Sequence, residues 1–269
     1  IAFLLFFKTL SFDFVDINDR QFILNNEKVQ TLNTENIKSF FTNFKENEYV
    51  PLTKVSYSID YALGNGSPFV FHLINILLHI FNIILVFYFI KQIIPTFEIS
   101  VIIALLFTIH PLFVEPVALI SSRNMLLYPV FFLSSLILYT KYVQKEEQLF
   151  YRWSIFFFLI AVMASGKAII LVLVLFIIDY MKGKSFINKA LVIRKIPFFV
   201  ISLFFMIAGF LSKEPSQVFN NSLTYGVLYK LLLASYSFVI YLVKIVAPFN
   251  LSVFYPIPEF AGEGLPFYY

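Results

Sequence analysis

Residues 69–90 run apolar for long enough to cross about 30 Å of hydrocarbon, and a segment of that kind leaves the backbone few options. No water reaches its N–H and C=O groups, so each must be satisfied within the chain, which a helix does along its own length. Similar runs recur at about 99–112, 125–143, 153–164, 168–181, 196–211 and 227–246, several of them short. Residues 1–7 read as the tail of a further run whose beginning is missing. With that truncated segment, the pattern predicts an all-α polytopic membrane protein of about eight spans. The chain then forms one membrane-embedded domain over 1–269, incomplete at both ends. Composition agrees: 59% of residues are hydrophobic, 13% are charged and the mean hydropathy is +0.82, far above a soluble domain.

Between the first two runs lies a polar stretch, 8–66, with half of the chain's sixteen acids. It is expected to be a large structured extramembrane loop. Within it Ile37, Phe40, Phe41 and Phe44 fall at helical spacing, with Asn33 or Thr34 as N-cap, which predicts a short amphipathic helix on the membrane surface. Pro51 is expected to end that element, a second short helix to run through 55–63, and Gly64-Asn-Gly-Ser-Pro68 to turn into the bilayer. Residues 67–247 then make the transmembrane bundle, and the aromatic, proline-rich 248–269 an interfacial loop.

Orientation follows from basic residues. Lys182, Lys184, Lys189, Arg194 and Lys195 crowd one connection, and Lys141, Lys145 and Arg152 flank another, so those turns are expected in the cytoplasm. Counting spans outward places four stretches on the opposite face: 8–66, 110–123, 164–167 and 213–225. The net charge of +4 reflects these lysines, and no basic run beside exposed aromatics suggests nucleic acid. The chain has no cysteine, which excludes disulfides and thiolate metal sites.

Two polar features interrupt the apolar pattern. His72, Asn75, His79 and Asn82 fall within roughly 80° on one helix, a stripe whose plain reading is hydrogen bonding between helices. His72 stands apart, because it lies near the face of the acidic loop. Around Phe107-Thr-Ile-His-Pro-Leu-Phe-Val-Glu-Pro116, Pro111 removes a backbone donor, with His110 just before it and Glu115 and Arg123 after it. Ionisable groups at that depth mark a polar site, or Glu115 and Arg123 merely pair where a helix ends.

Several motifs in one order resemble the GT-C glycosyltransferases related to the transmembrane and tetratricopeptide-repeat-containing protein O-mannosyltransferases, including bacterial relatives. They are Asn18-Asp19, Tyr49-Val-Pro-Leu-Thr53, Tyr57-Ser-Ile-Asp-Tyr61, Phe71-His-Leu-Ile-Asn-Ile-Leu-Leu-His79, and His110-Pro111 with Glu115 and Arg123. Leu223-Thr224 and Asn250-Leu-Ser-Val-Phe-Tyr-Pro256 extend the likeness. The resemblance implies a GT-C-like bundle that moves a sugar, mannose-like, from a polyprenyl-phosphate carrier to an acceptor hydroxyl on protein or glycan, with inversion. It also implies a site on the outer face, in a bacterial inner membrane read as periplasmic. Further spans followed by a repeat of about 34 residues beyond Tyr269 would support the resemblance.

Independent chemistry fits. An acceptor hydroxyl needs a carboxylate base, which the first loop offers as Asp19 or Asp16 beside Asn18. A departing phosphate needs cations, for which Arg123 and Lys167 are the expected partners, with His110, His72 and Glu115 orienting the head group. No metal-ligand motif is present, and need of a divalent metal stays open. Two other classes compete: a transporter or flippase of lipid-linked saccharides, whose polar stripe lines a pathway, and a non-catalytic scaffold.

Overall fold

Each long apolar run is helical in the computed structural model, which describes residues 1–15, 18–44, 48–183, 189–212, 227–249 and 251. Among these residues there is no strand. Helix α1 (Ala2–Phe6) leads through a 3₁₀ turn (Phe7–Ser11) into the polar loop. The loop carries α2 (Glu27–Gln30), α3 (Thr34–Thr42) and α4 (Pro51–Gly64). Asn33 caps α3 as expected, its Oδ1 accepting the N–H of Asn36 at 2.7 Å and satisfying one donor that a helix start leaves open. The apolar face of α3 turns into the protein, with Phe40 buried among Ile23, Val29, Tyr57 and Phe71. One expectation is corrected. Pro51 does not end a helix but begins α4, where its missing N–H is one the helix would leave unbonded anyway. α4 in turn stops where Asn65 (φ 48°) and Gly66 (φ 79°) enter the left-handed region and reverse the chain.

The bundle follows as α5 (Pro68–Ile93), α6 (Phe97–Ile109), α7 (Val114–Ala118), α8 (Asn124–Lys145), α9 (Gln148–Ala164), α10 (Leu171–Met181), α11 (Lys189–Ser212) and α12 (Val227–Val246). Three helices are long and apolar enough to cross a membrane: Pro68–Ile93, Ile120–Lys145 and Leu191–Ser212. The pair Phe97–Ile109 and Pro111–Ala118, bent by 53°, makes a fourth if counted as one broken span. The described residues thus give three or four such spans where the sequence suggests about eight. α9, with 17 residues, and α10, with 11, are apolar but shorter.

Small polar residues let α8 and α9 approach: Ser135 Oγ donates to the Ser154 carbonyl at 2.7 Å, and Ser154 Oγ to the Ser135 carbonyl at 2.9 Å. Tyr139, Phe158, Leu171, Leu175 and Phe198 fill the space between α8, α9, α10 and α11. The polar stripe of α5 is buried against other elements, with His72, Asn75, His79 and Asn82 no more than 1% exposed. Asn82 Nδ2 donates to the Leu126 carbonyl at 2.8 Å and Asn75 Nδ2 to that of Val117 at 3.4 Å, which is the interhelical bonding expected. His79 sits among the rings of Phe6, Phe107 and Phe113.

The bundle has two chemically different ends. At one end the first loop, the broken span and the turn after α9 meet: Thr53 Oγ1 donates to the Ala164 carbonyl at 2.9 Å and the Tyr57 hydroxyl to that of Ile120 at 2.9 Å. The expected gathering of these stretches is therefore present, except 213–225, which lies outside the described residues. At the other end the basic residues collect, where Tyr151 donates to the Arg194 carbonyl at 2.7 Å and Lys182 to that of Gln92 at 3.4 Å. A buried ion pair there joins Lys195 to Asp179, which also accepts the Tyr139 hydroxyl at 3.0 Å. Nothing in the sequence pattern singled out that pair.

Candidate functional site

Arg123 occupies the centre of the loop end. It stands where the 3₁₀ turn Ile120–Ser122 passes into α8, and its side chain is fully buried. Its Nε donates to Asn75 Oδ1 at 2.8 Å and Nη2 to the Phe71 carbonyl at 2.9 Å. Nη1 forms an ion pair with Asp60. The guanidinium carbon also lies 4.9 Å from the centre of the Tyr57 ring and 5.5 Å from that of Phe71, so aromatic faces close the remaining sides. One arginine thereby ties α4, α5 and α8 together. The simpler expectation of a Glu115–Arg123 pair is corrected: Glu115 is exposed and accepts from Ser122 Oγ at 3.4 Å, while the partner of Arg123 is Asp60.

Asp60 and Tyr57 fall in the Tyr57-Ser-Ile-Asp-Tyr61 motif, but sequence reasoning gave neither a role. Their spacing of three on α4 was the available signal, since it sets both on one helix face. Burial pushes the Asp60 carboxyl up to about 6, against the lowering pull of Arg123. Burial likewise raises the Tyr57 phenol, keeping it a neutral donor.

Asp19 is 1% exposed and stitches two distant segments. Its Oδ2 accepts the N–H of Val15 at 2.9 Å, and its Oδ1 accepts that of Ser121, 102 residues further on, also at 2.9 Å. His72 lies within the electrostatic reach of both Asp19 and Arg123. Neither of its ring nitrogens has a hydrogen-bond partner, and the edge of Phe12 closes on it with ring centres 6.2 Å apart. The stretch 12–15 thus covers an acid and an unpartnered imidazole together. Asn18, beside Asp19, is exposed, and Asp16 lies outside the described residues.

Lys167 is brought to the same end by a different route. It sits on the 3₁₀ turn Gly166–Ile170, exposed, with Nζ 3.3 Å from Met125 Sδ. It lines an open cleft of about 290 Å³ together with Glu48, Tyr49, Ser165, Ile169, Phe205 and Phe210. A cation and apolar side chains lining one cleft suit an amphiphile with an anionic head. His110, by contrast, is engaged in the backbone. Its Nδ1 accepts the Leu112 N–H at 3.3 Å, which leaves Nε2 to carry the proton and donate to the Ile245 carbonyl at 2.9 Å. Among the described residues no three His, Asp or Glu side chains converge as a metal site.

Fold and site together define a helical integral membrane protein with acids, an arginine and an imidazole buried at one end of its bundle. Within that class the chain is similar to protein O-mannosyltransferases. It is 32% identical over 93 residues to Protein O-mannosyl-transferase TMTC3 of Homo sapiens, and 34% identical over 93 residues to its counterpart in Mus musculus. A protein O-mannosyl-transferase of Caenorhabditis elegans is 31% identical over 107 residues. The matches cover 35% of this chain for the first two and 39% for the third, and span only 10% and 16% of those much longer relatives. All three are animal proteins, so none bears on a bacterial source. No family model and no solved structure matches the chain.

Proposed function

We propose that this chain is part of a membrane glycosyltransferase of GT-C type that moves a mannose-like sugar from a polyprenyl-phosphate carrier to a hydroxyl of an acceptor, and that the loop end holds the chemistry. The observation that carries the reading is Asp19, a carboxylate locked between the first loop and the segment before α8, at the end that also bears the Lys167 cleft. In the reaction Asp19 takes the proton of the acceptor hydroxyl as its oxygen bonds to the anomeric carbon. The bond from that carbon to the carrier phosphate breaks, and the phosphate leaves as an anion beside Lys167. A single displacement of this kind inverts the anomeric centre. Asp19 is covered by 12–15, so the acceptor reaches it when that stretch moves aside, which presents His72 at the same time. Arg123, its donors held by protein groups, keeps α4, α5 and α8 in register and touches neither substrate.

The direct test is transfer from labelled polyprenyl-phosphate mannose to peptide by the full-length protein in liposomes. Joined product supports the reading, whereas labelled carrier that crosses the bilayer without product favours the flippase reading, to which the broken span at His110 lends its one observation. Lys167→Gln is expected to raise the KM for the carrier about tenfold or more with little change in turnover, the loss of one charge-assisted contact. An unchanged KM would move the phosphate elsewhere.

The basic end is assigned to the cytoplasm and the loop end to the opposite face. The chain lacks cysteine, so single replacements read this cleanly. An impermeant thiol reagent applied to intact cells is expected to label Asn36→Cys and spare Lys145→Cys; the reverse pattern would invert the assignment.

A further inference from the structure

A second apolar surface lies between α5 and α6 and reaches toward the basic end through Phe87 and Val101. Ile83, Ile84, Phe87, Val101, Leu105 and Thr108 line an open groove of about 460 Å³ with Ala104 at its floor. From Val101 to Thr108 the groove extends along α6 for about 10 Å, which a single acyl chain can follow. Its wall at the basic end is Phe87, and that ring is shared. The ammonium of Lys91 lies 5.8 Å from the centre of Phe87 and 5.8 Å from that of Phe97, and the two rings meet edge to face at 5.8 Å. Lys91 is exposed and forms no ion pair with a carboxylate among the described residues.

We propose that this groove and Lys91 form a binding site for an anionic phospholipid of the cytoplasmic leaflet, its acyl chain between α5 and α6 and its phosphate on the Lys91 ammonium. The geometry selects such a lipid by continuity. The ring that closes the apolar groove is the ring that holds the cation, so a molecule filling the groove brings its head to a positive charge. Two aromatic rings attract the ammonium, and Lys91 remains exposed to an incoming anion. A zwitterionic lipid fills the groove equally well, but its own ammonium opposes Lys91. Charge at the head is therefore what separates the two.

The experiment is native mass spectrometry of the full-length protein in mild detergent with phosphatidylglycerol or phosphatidylcholine added at matched concentration. The expected result is an excess of bound phosphatidylglycerol of about fivefold, the effect of one lysine near an anionic head group. Lys91→Glu abolishes that excess and Lys91→Arg retains it. Leu105→Trp, which fills the groove from an exposed position, lowers the binding of both lipids. Equal binding of the two lipids by the wild type, or an undiminished phosphatidylglycerol excess in Lys91→Glu, overturns the proposal. So does Leu105→Trp with wild-type binding of both, which would leave only lipid held loosely around the bundle. Sugar-transfer activity is no part of the readout, so the outcome is independent of the function proposed for the Asp19 end.

Discussion

Arg123→Ala is expected to lower the stability of the protein by about 3–5 kcal/mol, the usual cost of removing one partner from a buried ion pair. The loss falls on every element the side chain connects. Asn75 Oδ1 and the Phe71 carbonyl lose their donors, and Asp60 keeps a buried carboxyl without its guanidinium. The measurement is Tm in detergent, followed across pH. Burial holds the Asp60 carboxyl at about 6 in the native protein, above the unfolded value of about 4. A raised carboxyl contributes stability that is fully present below about pH 4 and is lost as pH rises through about 6. Asp60→Asn, which cannot titrate, should flatten the wild-type slope in that window. Without Arg123 the carboxyl is driven higher still, so the Arg123→Ala penalty should be larger at pH 8 than at pH 5. A variant of wild-type Tm whose only defect is donor affinity would make Arg123 a phosphate ligand instead. Arg123→Lys keeps the charge but loses the fork, and falls between the two.

Asp19→Asn is expected to cut turnover by about 10²- to 10⁴-fold, the range typical of losing a general base. The amide preserves size, and one oxygen still accepts a backbone N–H, but it cannot take the acceptor's proton. Its NH₂ must also face either Val15 N–H or Ser121 N–H, so a modest fall in Tm accompanies the change. Transfer rate at saturating carrier and acceptor separates the two effects, because a purely structural role would move Tm and leave the surviving molecules active. Asp16→Asn serves as the control within the same loop and is expected to cost far less. Near-normal turnover in Asp19→Asn together with collapse in Asp16→Asn would transfer the role of base to Asp16. Normal turnover in both would take the first loop out of the chemistry.

Much of the scaffold was legible because its causes are local. An apolar run in hydrocarbon has to satisfy its own backbone, so α5, α8 and α11 follow from hydropathy alone, and Asn33 caps α3 through atoms three residues away. The inward stripe of α5 follows from helical periodicity, and the break at His110 from a proline without an N–H. Pro51 shows the limit of even local reading. A proline suits both the residue after one helix and the first residue of the next, and only the packing of Tyr57 and Asp60 into the core decided for the second.

The sequence by itself determined that this is a helical membrane protein whose polar residues converge at one end, and it named Asp19, His72, Arg123 and Lys167 as groups worth following there. Tertiary structure decided what each of them meets. Arg123 is matched with Asp60 rather than Glu115, Asp19 with the amide of Ser121, and Lys195 with Asp179. These partners lie between 16 and 102 residues apart in the chain, counting the Asp179–Lys195 and Asp19–Ser121 links. Charge attraction carries no sequence address: a buried arginine pairs with whichever carboxylate the helix packing delivers, and that packing is set by Ser135 on Ser154 and Asn82 on Leu126, contacts between small and polar groups that no hydropathy pattern orders.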